Sequence, residues 1–158
     1  MSDIVPICEK KDSITLDNIE LEIWYDSDFK NSKTTLLFLK TFVELMEKGW
    51  TPLSLDWCSA VDKCKVFYCE TKEKQVISAI VCFYTENNRQ GWVLLSFTDP
   101  LWRKKGLNKI LFSYVERYMK SKGAKSIAVS VHKENMPRLI ASQKNGLEMK
   151  YVRLIKDI

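Results

Sequence analysis

Residues 18–25, NIELEIWY, alternate apolar and polar side chains, the period-two pattern of a strand with one buried face. In residues 33–48, KTTLLFLKTFVELMEK, apolar residues fall at 36, 37, 39, 42, 43, 45 and 46. This spacing predicts a helix, with Asn31 or Ser32 to cap its start and Gly49 to end it. The pattern lapses over 50–63. It then returns as KVFYCET (65–71) and QVISAIVCFYTE (75–86), which predict a β-hairpin. After the turn ENNRQG, the run WVLLSFTD (92–99) is almost wholly apolar and predicts a central strand that stops at Pro100. From Gly106 to about Lys122 the stripe Leu107, Leu111, Tyr114, Val115 and Tyr118 predicts an amphipathic helix. AKSIAVSV (124–131) predicts a strand. Asn135 can cap a helix over 136–145, and residues 147–158 close with strand-like alternation.

The order is strand, helix, three antiparallel strands, long helix, strand, helix, strand. It implies a mixed α/β (α+β) sheet of about six strands flanked by helices at about 33–48, 106–122 and 136–145. A length of 158 residues and 46% hydrophobic content suit one domain, 1–158. The start of the chain does not read as a leader, and no apolar run approaches a membrane span, so a cytoplasmic protein away from membranes is expected. The five cysteines form no CxxC pair and His132 is the only histidine. No metal site is expected, and the thiols read as reduced.

Charge changes the picture at one place. Residues 1–60 carry 6 basic and 11 acidic residues, a net of −5, whereas residues 101–158 carry 14 and 4, a net of +10. The basic end includes TDPLWRKKGLN (98–108), where Arg103, Lys104 and Lys105 precede Gly106 at the junction between a strand and a helix. A helix N-terminus offers unpaired N–H groups and a positive dipole end, and glycine lets a ligand approach the backbone. The loop reads either as a solvated turn or as a phosphate grip. It has no Gly-Lys-Ser/Thr and lacks the three glycines of a dinucleotide fingerprint.

Arg103-Lys104-Lys105-Gly106-Leu107-Asn108 resembles the acetyl-CoA-binding motif of the GNAT superfamily of N-acetyltransferases, Arg/Gln-x-x-Gly-x-Gly/Ala, with Asn108 in place of the small final residue. Asn135, followed by Asn145-Gly146-Leu147, resembles the family's later motif. The resemblance spans roughly residues 75–150. It implies a sheet in which parallel strands 92–98 and 126–131 splay apart around acetyl-CoA. Backbone near Phe97 and Thr98 would pair with the pantetheine arm, and residues 104–108 (Lys104, Lys105, Gly106, Leu107 and Asn108), with Arg103 before them, would hold the pyrophosphate. Asn135 would contact the arm, or serve as a plain helix cap, or both.

For catalysis the resemblance implies a base and an acid. Asp99 and His132 end the two splayed strands; Glu70 and Glu86 end neighbouring ones. Where the family often has a tyrosine as acid, this chain has Ser142, and Tyr151 lies on the following segment. The acidic residues Asp17, Glu20, Glu22, Asp26 and Asp28 read either as a cation-attracting acceptor side or as a charged surface. The expected activity is acetyl transfer from acetyl-CoA to a primary amine: a small molecule, a protein N-terminus or a lysine. A catalytically weak CoA-binding module is the alternative. Nucleic-acid binding ranks third, because the basic residues lack interleaved aromatics. The short C-terminus leaves a sheet edge that would invite a second copy, a homodimer.

Overall fold

The computed structural model describes residues 8–50, 61–150 and 156. Six strands form one sheet in chain order: β1 (Cys8–Leu16), β2 (Ile19–Asp26), β3 (Lys65–Thr71), β4 (Val76–Thr85), β5 (Gln90–Thr98) and β6 (Ser126–Val129). The first four pairings are antiparallel and β5–β6 is parallel. Three helices flank the sheet: α1 (Thr35–Glu47), α2 (Leu107–Ser121) and α3 (Met136–Lys144).

Strand alternation splits the apolar residues between two cores. On one face Ile23, Phe67, Cys69, Ile77, Ile80, Cys82 and Val93 meet Leu107, Leu111, Val115 and Met119 of α2. On the other, Val66, Tyr68, Ala79, Val81 and Leu95 pack with Phe38 of α1 and with Phe29. The rings of Phe29 and Phe38 meet edge to face, centroids 5.4 Å apart. Both faces are covered, which is why β3 and β4 read as nearly continuous apolar runs. α2 lies so close on β5 that a Cβ at Gly91 would come within 2.7 Å of the Met119 sulfur.

The helices agree with their predicted spans within two residues. Two sequence expectations at the sheet edges change. β1 is an additional strand, closed onto β2 by a turn in which Asp17 and Asn18 both have positive φ (50° and 62°). Its residues are mostly exposed, so alternation in CEKKDSITL is weak. At the other end, residues 147–150 form no strand, and the rest of the closing alternation, apart from residue 156, lies outside the described residues. The same holds for most of the 50–63 stretch.

Candidate functional site

β5 and β6 share a ladder only from Gln90↔Ser126 to Val93↔Val129. β5 continues to Thr98 with no strand partner on that side among the described residues. The register against β4 shifts at the same level, from Cys82↔Val93 to Val81↔Leu95, so Leu94 is the extra residue of a β-bulge. A bulge bends and twists its strand, and here it coincides with the end of the parallel ladder. The result is a slot between the outer half of β5 and the chain beyond β6, roofed by α2 and α3.

Past Thr98 the chain turns sharply. Asp99 accepts a hydrogen bond from the Leu101 N–H (2.9 Å) and starts a short 3-10 turn, Pro100–Trp102. The Arg103 side chain folds back, its Nε donating to the Thr98 carbonyl (3.0 Å). Lys105 pairs with Asp17 in the β1–β2 turn and lies over the Trp102 ring. Lys104 is exposed, with no side-chain partner among the described residues. Lys104 and Gly106 have φ of 62° and 84°, and Gly106 caps α2 in the left-handed conformation.

A Cβ at Gly106 would meet nothing within 4 Å. Glycine is therefore needed there for its backbone angle, while the space in front of the helix stays open. The Ile110 N–H bonds the Gly106 carbonyl (3.0 Å), which leaves the N–H groups of Leu107, Asn108 and Lys109 without helical partners. Three amides and a helix dipole end thus face open space beside three cationic side chains.

Asn108, at the motif's last position, does not point its amide oxygen at that space. The oxygen accepts from Asn145 Nδ2 (2.9 Å) and ties the start of α2 to the end of α3. Asn135 caps α3, its Oδ1 accepting from the Arg138 N–H (3.3 Å). His132 Nδ1 accepts from the Glu134 N–H (3.2 Å), and its ring stacks on Trp50 with centroids 6.4 Å apart. In the neutral ring the proton then sits on Nε2, so the lone pair a base would use is engaged. Ser142 is buried in the wall of the slot.

The carboxylates expected near the acceptor are already engaged. Glu70 is 2% exposed and pairs with Lys33 and, at 3.6 Å, with Lys74. Glu20 pairs with Lys72 (2.7 Å), and Glu22 with Lys10 (3.3 Å) and Lys74 (3.6 Å). Asp26 accepts from the Asp28 N–H (2.9 Å). Within the acidic N-terminal segment, Asp17, Glu20 and Glu22 are thus paired with the chain's own lysines, while Asp26 and Asp28 accept neutral hydrogen bonds.

One residue in the slot escaped the sequence reading. Arg138, in the first turn of α3, sends its guanidinium inward to Ser96 Oγ on the unpaired half of β5. Burial alone pulls its pKa down to about 10. Its position three residues after Asn135 and four before Ser142 was a legible signal, since i, i+3 and i+4 residues share a helix face.

The Acetyltransferase (GNAT) family model matches residues 21–145, from β2 to the end of α3. The chain belongs to the GNAT acetyltransferase family. It is an acyltransferase by that membership, and its fold agrees. An aminoglycoside acetyltransferase, meta-AAC0020 from an uncultured soil metagenomic sample, solved with trehalose, superposes with a TM-score of 0.66 at 15% identity, over 90% of this chain and 98% of its own. A putative acetyl transferase from Pyrococcus furiosus gives 0.63 at 15% identity, over 80% and 95%. AAC(6')-Iy bound to the bisubstrate analogue CoA-S-monomethyl-acetylneamine gives 0.53 at 18%, over 77% and 92%. No curated protein matches the chain. Among the described residues of this GNAT domain no His/Cys/Asp/Glu group could hold a metal ion, and no helix is long and apolar enough to cross a membrane.

Proposed function

We propose that this GNAT domain transfers an acetyl group from acetyl-CoA to a primary amine. The observation that carries the reading is the coincidence of three features along β5. The parallel ladder ends at Val93, the bulge falls at Leu94, and the strand leads to the open N-terminus of α2. The residues suit the cosubstrate. The amides of Leu107, Asn108 and Lys109 would bind a pyrophosphate, with Lys104 free to add charge. The outer half of β5, through Phe97 and Thr98, would run beside the pantetheine arm, and Asn135 stands at the slot's α3 end. Bound acetyl-CoA supplies the activated thioester; the chain's part is to orient it and exclude water.

Proton handling falls to weak groups. Asp99 keeps lone pairs beyond the one given to Leu101, but it first shapes the turn. His132 would have to release Glu134 before accepting a proton. A water relay from the amine to Asp99 fits these constraints best. Ser142 can donate a hydrogen bond to the departing sulfur but is too weak an acid to protonate it fully.

Calorimetry with acetyl-CoA, followed by thiol release across a panel of amines, tests the reading. Heat of binding and turnover with at least one amine support it; absence of binding ends it. Binding without turnover favours the second reading, a catalytically weak CoA-binding module. The observation behind that reading is Ser142 standing on the slot wall beside a guanidinium that fills the space.

A further inference from the structure

The slot beyond Val93 contains a charge without a counter-charge among the described residues. Its walls include Ile80, Val93, Phe112 and Val129, and Arg138 lies among them with Ser142. The guanidinium carries five N–H donors, and Ser96 Oγ takes one. No carboxylate among the described residues pairs with it. On one wall Asn145 Nδ2 donates to Asn108 Oδ1 (2.9 Å), and neither amide brings a formal negative charge.

Buried charges in proteins are normally paired, because desolvation is costly. Arg138 is half-buried; desolvation lowers its pKa to about 10, and no carboxylate among the described residues offsets it. A planar fork of donors is the geometric complement of a carboxylate, which it can bind through two parallel hydrogen bonds. The free volume beside it, about 10 Å³, holds roughly one water. A ligand group must therefore displace the guanidinium from Ser96, and a long side chain on the first turn of a helix can pivot to allow this.

We propose that Arg138 is a specificity-determining residue that reads a carboxylate on a substrate, exchanging Ser96 for that carboxylate when the slot fills. The inference rests on the acyltransferase reading above and narrows its substrate class. The carboxylate belongs either to the acyl group, as in a dicarboxylic acyl-CoA, or to the amine acceptor, as in an amino acid. The reaction is unchanged in kind: the amine nitrogen bonds the acyl carbon, the C–S bond breaks, the amine proton leaves through water, and the CoA thiolate takes up a proton and departs as the free thiol. The carboxylate stays intact throughout.

The test measures two ratios in the wild type, in Arg138→Gln and in Arg138→Lys. The donor arm compares the affinities of succinyl-CoA and malonyl-CoA with that of acetyl-CoA. The acceptor arm compares kcat/KM for amino acids with that for their decarboxylated amines, with acetyl-CoA as donor. A charge-assisted bidentate contact predicts a preference of about 10-fold or more for the carboxylate in one arm. That preference should fall to about 2-fold or less in Arg138→Gln and to an intermediate value in Arg138→Lys, which keeps the charge but loses the fork. Melting curves establish that each variant is folded; if Arg138→Gln is not, Arg138→Lys decides. Should acetyl-CoA bind with no carboxylate preference in either arm, or should the preference survive the substitutions, this inference alone is overturned. Should no CoA thioester bind, the acyltransferase reading falls and takes the inference with it.

Discussion

The start of α2 and the slot beneath α3 adjoin the outer half of β5, and they are built from different material. At α2 the groups that face the opening are backbone amides, fixed by the angles of Lys104 and Gly106. Its side chains are largely committed to the fold: Arg103 to Thr98, Lys105 to Asp17, Asn108 to Asn145. In the slot the relation is reversed. The backbone belongs to α3, and the feature that stands out is one side chain, Arg138, held by Ser96 Oγ as its one side-chain partner among the described residues. A backbone site tolerates change in its side chains and fails when its dihedrals fail. A side-chain site can be emptied by one substitution without harm to the fold.

The largest expected effect separates the two regions most sharply. Arg138→Met replaces a half-buried charge, which has no carboxylate partner among the described residues, with an apolar chain of similar length. Stability in urea should stay level or rise by about 1–4 kcal/mol, the range seen when buried ionic groups give way to apolar ones. A loss of about 3–5 kcal/mol would mean that the charge holds the fold together, and would erase the contrast. Gly106→Val should do the reverse, costing about 1–2 kcal/mol because a side chain is forced into the left-handed region, and weakening acetyl-CoA binding as the amides shift. Smaller again is Asn108→Ala, which leaves Asn145 without its acceptor and should cost about 1 kcal/mol; unchanged urea midpoints would show that the α2–α3 tie is idle.

The smallest effect is a pH dependence at the far side of α2. Tyr114 donates to Asp12 (2.6 Å), and this bond, followed by the Ser13 N–H, lowers the Asp12 pKa from its ordinary 3.8. A carboxylate with a depressed folded-state pKa contributes stability above its unfolded value, and that contribution is lost as pH falls through the folded one. Acid unfolding of Tyr114→Phe should therefore show a slightly shallower loss below about pH 3.8 than the wild type. Asp12 is exposed, so solvent keeps the difference small. Identical acid limbs would show that the bond does not form in solution.

These contrasts also explain what the sequence made legible. The strand–loop–helix unit around Gly106 was readable because its geometry follows from element order, one glycine and a helix start, all local signals. The helices were readable for the same reason. β1 was not, because a mostly exposed edge strand carries weak alternation; the Asp17–Asn18 turn was its clearest trace. Of the strand expected over 147–158, residues 147–150 form none, and most of the remainder lies outside the described residues. The partners of Asn108 and Arg138 lie 37 and 42 residues away in the chain, and no local pattern announces such contacts. The acidic segment was ambiguous for a related reason: whether Glu20 and Glu22 face a ligand or the chain's own lysines depends on cross-strand register.

In the proposed reading, backbone amides at the start of α2, beside the outer half of β5, hold the cosubstrate. The most direct measurement is the amide ¹H–¹⁵N spectrum of the protein titrated with acetyl-CoA. The amides of Gly106, Leu107, Asn108 and Lys109 should move most, with those of Ser96 to Thr98 following, while α1 stays still. Saturable binding that moves other amides and leaves residues 106–109 unperturbed would contradict it.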